Sequence, residues 1–303
     1  MTRSIALSLI LLPAQGAELL REFQPSSASS PHGKVSVVEF ETPLHEVEAG
    51  ALALHLPGAM MNFEFAESVW VIGYKTWILD AQGKPPRDNY LCHTFLGDQR
   101  MMQTGDQEVR GLYSDSFTRE VHLPEGTAVR VLAGEPLHWM PMFNNRAADS
   151  VRVKMRVELS VIRDKDVASA PRELYSTLRS VATPHLYFVK PGRDARSAEF
   201  ELPGADRIYF MGTHIHPYGS SVELYNVTRG ERVWLGKSHH DAKGDMTGMD
   251  VFSSAPGYTV RNGDKFRVTA VYDNPTRTPI DAMAGLYILY SPKAQPGAAS
   301  RNH

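Results

Sequence analysis

The chain has 303 residues, with 32 Lys and Arg against 34 Asp and Glu and a formal charge of −2. The length suits two domains of about 140 residues each, and the absence of any basic run argues against a nucleic-acid partner. One cysteine excludes an intrachain disulfide and any CxxC metal site, while twelve histidines and twelve methionines leave His and Met as the main donors for a metal.

Residues 1–17 (MTRSIALSLILLPAQGA) place Arg3 ahead of an apolar run, Ile5 to Leu12, with small residues Ala14 and Gly16 at the −3 and −1 positions of a cleavage site. This is the layout of a secretory signal peptide, too short to span a bilayer, and it predicts a periplasmic or secreted protein. No other window approaches about 18 apolar residues, so no membrane span is expected. A polar Ser/Pro-rich connector follows, Glu18 to His32. The pattern then turns to β: Lys34–Glu41, Leu52–Leu56, Val69–Ile78, Val109–Leu112, Ala128–Leu132 and Val151–Val161 are short alternating runs bounded by Gly, Pro, Asn or Asp. In Val151–Val161, Val151, Val153, Met155, Val157 and Leu159 face one way and charged residues the other, as in a half-buried antiparallel strand. Arg163–Arg172 reads as a charged interdomain linker, and Glu173–Ser180 as one short helix.

The second half resumes at Leu186–Val189, Arg196–Leu202, Arg207–Phe210, Ser221–Asn226, Val233–Leu235, Lys265–Tyr272 and Gly285–Tyr290, with hairpin chemistry at Arg229-Gly230, Asn262-Gly263-Asp264 and Asp273-Asn274-Pro275. The expected fold is all-β: two antiparallel β-sandwiches joined by a short linker, over residues 33–162 and 173–292, with a disordered tail at 293–303.

Chemistry concentrates in Gly212-Thr-His214-Ile-His216-Pro217-Tyr218-Gly219. Residues i and i+2 of a strand share a face, so His214 and His216 present two imidazoles side by side, half of a metal site; an exposed polar pair at a strand end is the plain alternative. The cupin pattern fits poorly. Its Glu should follow the second His closely, whereas Glu223 comes with six residues intervening, about 7–10 Å too far along a strand. Met283, in Asp281-Ala-Met-Ala-Gly-Leu-Tyr-Ile-Leu-Tyr290, shares a face with Gly285, Tyr287 and Leu289. Alone it reads as core filler; with His214 and His216 it completes a donor set suited to copper, Cu(I) in particular. His239-His240 reads as a solvated turn, His185 as structural, His45, His55 and His122 as lone residues, and His32 and His303 as lying in flexible segments. No nucleophile elbow, phosphate loop, HExxH or paired-carboxylate motif is present.

Over roughly 80 residues the order THIHPYG, VWLG (Val233–Gly236), Gly263-Asp264, RVTAVYDN and MAGLYILY resembles the second domain of the copper type II, ascorbate-dependent monooxygenases, the family of peptidylglycine α-hydroxylating monooxygenase and dopamine β-monooxygenase. The resemblance implies two jelly-roll-like domains with one copper in each. It implies O₂ activation at a copper held by His214, His216 and Met283, hydroxylation of a C–H bond in a small organic substrate, and a reductant such as ascorbate. Tyr287 matches the family's substrate Tyr. The electron-transfer copper of the first domain would fall on Cys92, His93 and His138, with Cys92 where the family has a His. Adjacent strand residues point to opposite faces, so Cys92 and His93 need a bulge or splayed geometry to meet one ion. Two departures, Cys92 and Gly212 in place of the Arg that holds a peptide carboxylate, keep a second reading open: a non-catalytic periplasmic copper-binding or copper-handling protein on the same scaffold.

Overall fold

The structure, a computed structural model, describes residues 18–52, 54–56, 59–86, 89–97 and 110–293. The candidate signal peptide, Val109 and the tail beyond Lys293 lie outside the described residues. Among those described the protein is all-β, its strands antiparallel and without an α-helix. Among the described residues no helix is long and apolar enough to cross a membrane. The chain divides into two compact units, Met1–Arg172 and Glu173–His303.

In the N-terminal unit the largest sheet runs Glu18–Pro25, Gly33–Glu41, Val151–Val167, Val69–Asp80 and Thr127–Val131, with His45–Val47 and Glu120–His122 at its margins. A second sheet orders Leu54–His55, Leu137–Phe143, Leu91–Gly97 and Gly111–Asp115, with Met61–Phe63 alongside the Leu137–Phe143 strand. The alternation Val153, Met155, Val157, Leu159 is fully buried, as the period-2 pattern requires. Phe40 lies opposite Val157, and its ring packs on those of Phe63 and Trp139, the latter edge to face at 5.0 Å between ring centres.

Two segments expected to be irregular are strands. The connector begins with the Glu18–Pro25 strand, whose Arg21 lies opposite Glu39 and pairs with it at 2.9 Å. The expected linker is in part the continuation of the Val151–Val167 strand. Its charges have partners across the sheet: Arg163 meets Glu67, and Asp164 accepts from the Trp70 indole at 2.8 Å and from Arg130 at 3.0 Å. A charged run therefore stays extended where its charges, Arg163 and Asp164, meet complements.

The C-terminal unit has a sheet ordered Tyr175–Ser180, Ala284–Pro292, Ala205–Ile215 and Phe252–Thr259, and another ordered Gly192–Glu201, Lys265–Asn274, Gly219–Asn226, Glu231–His240 and Met246–Met249. A short ribbon pairs Tyr187–Val189 with Ile280–Ala282. The expected helix over Glu173–Ser180 is instead an edge strand, with Tyr175 opposite Tyr290 and Ser180 opposite Gly285. Its Ser and Thr content favours that ladder over helix. Lys293 is still tied down, its amide donating to the Gly204 carbonyl at 2.8 Å.

Candidate metal centre

The ladder between Ala205–Ile215 and Ala284–Pro292 places Gly212 opposite Tyr287, His214 opposite Gly285 and Ile215 opposite Ala284. One step further the ladder ends on His216 and Met283, joined by a 3.3 Å bond from the His216 amide to the Met283 carbonyl. Directly opposed residues share a face, as do i and i+2. His214, His216, Met283 and Tyr287 therefore lie on one face of this ribbon. Its glycines, 212 and 285, add no side chain there. Gly285 is also demanded by its neighbour, since a β-carbon would sit 2.7 Å from the Arg179 carbonyl oxygen.

The two imidazoles are buried, with ring centres 5.2 Å apart and planes perpendicular. His216 Nδ1 lies 2.8 Å from Asp281 Oδ2, both side chains almost wholly shielded. An ionised carboxylate only accepts, so the proton resides on Nδ1, the arrangement by which a carboxylate orients a metal-ligating His. Tyr272 fixes the same corner. Its hydroxyl donates to the Met283 carbonyl at 2.5 Å and accepts from the His216 amide at 2.9 Å. Burial pushes this phenol well above its ordinary pKa, so it stays a donor.

The turn after His216 has the pattern of type II: the Gly219 amide donates to the His216 carbonyl at 3.1 Å, Pro217 takes the first inner position, and Tyr218 takes the second at φ 70°. A non-glycine residue in that region stores on the order of 1–3 kcal/mol, which the surroundings must over-determine. The Asp273 amide, donating to the Tyr218 carbonyl at 2.9 Å, is one of the bonds that hold it.

In the N-terminal unit the expected ligands divide differently. Cys92 and His93 lie on the Leu91–Gly97 strand, where Met142 pairs with His93 and Phe143 with Leu91, leaving Cys92 as the extra residue of a bulge. The bulge brings the Cys92 sulfur to 3.4 Å from His93 Nδ1. His93 lies opposite Asp115 and stacks on Tyr113 at 6.0 Å between ring centres. Burial and the Asp115 charge push the Tyr113 phenol well above its ordinary pKa. His138, by contrast, lies opposite Gly97, while His93 lies opposite Met142, four positions further along the same strand. At about 3.3 Å per residue that is about 13 Å. His138 is instead engaged by Asn62 through Nδ1. The expectation that Cys92, His93 and His138 form one site is corrected here: register, set by the pairing of Leu91–Gly97 with Leu137–Phe143, separates the two histidines.

Sequence reasoning missed Asp281 and Tyr272. Asp281 carried a faint signal, standing two residues before Met283, but its partner lies 65 residues away in the chain. Three of the remaining histidines are engaged as ordinary polar residues: His55 with the Pro141 carbonyl at 3.2 Å, His122 with Glu120 at 3.2 Å, and His32 with the Ser169 carbonyl at 3.0 Å. His32 thus anchors a chain segment expected to be flexible.

No protein-family model matches this chain, and no curated protein sequence matches it. Among solved structures it is similar to peptide N-glycanase F, with a TM-score of 0.44 and 12% identity over 85% of this chain and 96% of that one. It is also similar to the major capsid protein P2 of bacteriophage PM2, with a TM-score of 0.38 and 8% identity over 86% of this chain and 99% of that one. Likenesses of this size carry no argument about activity.

Proposed function

We propose that this is an exported copper-binding β-sandwich protein whose C-terminal unit holds the ion through His214, His216 and Met283. One observation carries the reading: two buried imidazoles with ring centres 5.2 Å apart, one of them oriented by Asp281 at 2.8 Å. The donor chemistry fits copper, since two imidazoles and a thioether are soft and nitrogen-rich, where magnesium or calcium asks for oxygen. Copper bound there supplies one-electron chemistry and a site for O₂. The chain's own contribution is to hold the His216 proton on Nδ1, to fix the Met283 backbone through Tyr272, and to keep both imidazoles shielded from water.

Two activities suit such a site. The family resemblance favours a monooxygenase that hydroxylates a C–H bond of a small organic substrate with O₂ and ascorbate or a similar reductant; Tyr287, on the same face as the ligands, supports a substrate wall. The separation of His93 from His138 favours non-catalytic copper binding, because the N-terminal unit then has no three-ligand electron-storage site of the expected composition. The geometry supports copper binding best. Copper stoichiometry, electron paramagnetic resonance and ascorbate-driven O₂ consumption test it together. One Cu(II) per chain with imidazole nitrogen coupling, and full copper content retained in His138→Ala, is the expected result. Two Cu(II) per chain with turnover coupled to a C–H substrate would establish the enzyme. No copper bound would overturn both.

A further inference from the structure

A second group of soft donors sits on the hairpin made by Glu231–His240 and Met246–Met249. Its register pairs Ser238 with Met249, His239 with Gly248 and His240 with Met246, so Thr247 is the extra residue of a bulge. On a regular strand Met246 and Met249, three apart, would face opposite sides. The bulge restores Met246 to the face of Met249, and opposite them on that face stand His240 and Ser238. Trp234 lies on the same side, four residues before Ser238. The far edge of its ring covers Gly236, where a β-carbon would meet Trp234 Cη2 at 2.4 Å. Glycine at 236 is what lets an aromatic surface extend along the strand toward Ser238.

The neighbouring polar groups are otherwise occupied. His239 faces the other way and holds Asp250 at 2.6 Å, while the second Asp250 oxygen accepts from the Lys237 amide at 3.1 Å. Asp241 turns the hairpin, one oxygen accepting from the Lys243 and Asp245 amides at 2.8 and 3.0 Å. Ser238 donates to the Ser220 carbonyl at 3.3 Å. That leaves an exposed imidazole, a half-buried thioether and a buried thioether on one face.

We propose that His240, Met246 and Met249 form a second metal site, for a monovalent soft cation such as Cu(I) or Ag(I). Directly opposed residues have β-carbons about 4.5–5.5 Å apart, which lets the His240 nitrogen and the Met246 sulfur reach one ion. Two thioethers and one imidazole select a soft cation over zinc, calcium or magnesium. None of these residues belongs to the His214 site, so this inference stands or falls apart from the proposed function.

The full-length protein, labelled at its methionine methyl groups, is titrated with Ag(I) and followed by nuclear magnetic resonance, the Met246, Met249 and Met283 signals being assigned from single Met→Leu variants. The Met246 and Met249 signals are expected to shift together and saturate. His240→Ala and Met246→Leu should each weaken this binding at least about tenfold, or 1.4 kcal/mol, with unchanged thermal melts. The double variant His214→Ala/His216→Ala should leave the Met246 shift intact. A Met246 signal that stays still while Met283 moves would overturn the second site and leave the first standing. A Met246 shift that persists in His240→Ala, or disappears with His214 and His216, would also overturn it.

Discussion

The two units handle their histidines by opposite means. In the C-terminal unit His214 and His216 sit at i and i+2 on an unbroken stretch of ladder, and the regular pleat alone aims both rings the same way. Asp281 then completes the pair from a neighbouring ribbon. In the N-terminal unit Cys92 and His93 are adjacent, so a regular strand would separate them. Only a bulge brings sulfur and imidazole to 3.4 Å, and His138 stays about 13 Å further along the sheet. The lesson is geometric: spacing by two makes a donor pair from regular structure, whereas adjacent donors need an irregularity, and a distant third ligand depends on strand register.

The largest break in that comparison comes from removing a ligand. His216→Ala should weaken Cu(II) binding by more than the roughly 100-fold that loss of an outer partner costs, read by chelator competition. Unchanged affinity would show that the aligned pair is only polar packing. Asp281→Asn comes next. It keeps the size and takes away the carboxylate that sets the His216 tautomer, so affinity should fall by roughly 10- to 100-fold while the nitrogen coupling in the paramagnetic resonance spectrum remains. Wild-type affinity in this variant would mean that the 2.8 Å contact does not orient the ligand.

Tyr272→Phe probes packing rather than ligation. The ring still fills its fully buried place, but the Met283 carbonyl loses a donor and the His216 amide one of its two acceptors. Leaving buried polar groups short of partners costs about 1–3 kcal/mol, expected as a lower midpoint in urea unfolding. Copper affinity should drop less than in Asp281→Asn, because Tyr272 touches the backbone and not an imidazole nitrogen.

How far these contrasts were legible in sequence follows from the same physics. The pleat is local, so the alternation in Val151–Val161 and the shared face of His214 and His216 could be read directly. Charge pairing is not local. Arg163 and Asp164 looked like linker residues because Glu67, Trp70 and Arg130, which hold them in a strand, are far away in the chain. Glu173–Ser180 reads as a helix in sequence for a related reason, since an edge strand takes its conformation from the partner it meets, here the final strand. Asp281 and Tyr272 went unassigned because a carboxylate or phenol gains its role only from what tertiary structure sets beside it. The need for a bulge or splayed geometry at Cys92 is legible in one strand, whereas the distance of His138 from His93 is not, because register is a property of two strands.

The smallest effect sharpens the contrast between a buried His that has a carboxylate and one that does not. His216 has Asp281, whereas His45, in the N-terminal unit, packs on Phe143 at 6.5 Å between ring centres and buries its Nε2 without a hydrogen-bond partner. Burial lowers its pKa below the ordinary 6.5 by penalising the charged ring. Because the unfolded chain takes up the proton more readily, the sign is fixed: His45 adds stability fully present above pH 6.5, and lost as pH falls from there through the depressed folded value. Urea midpoints of the protein measured at pH 7.5 and pH 5.5 should therefore differ more in the wild type than in His45→Phe, which keeps an aromatic ring and removes the titration. An equal difference in the two proteins would mean that the ring reaches water after all, and the contrast with His216 would then reduce to the single carboxylate at Asp281.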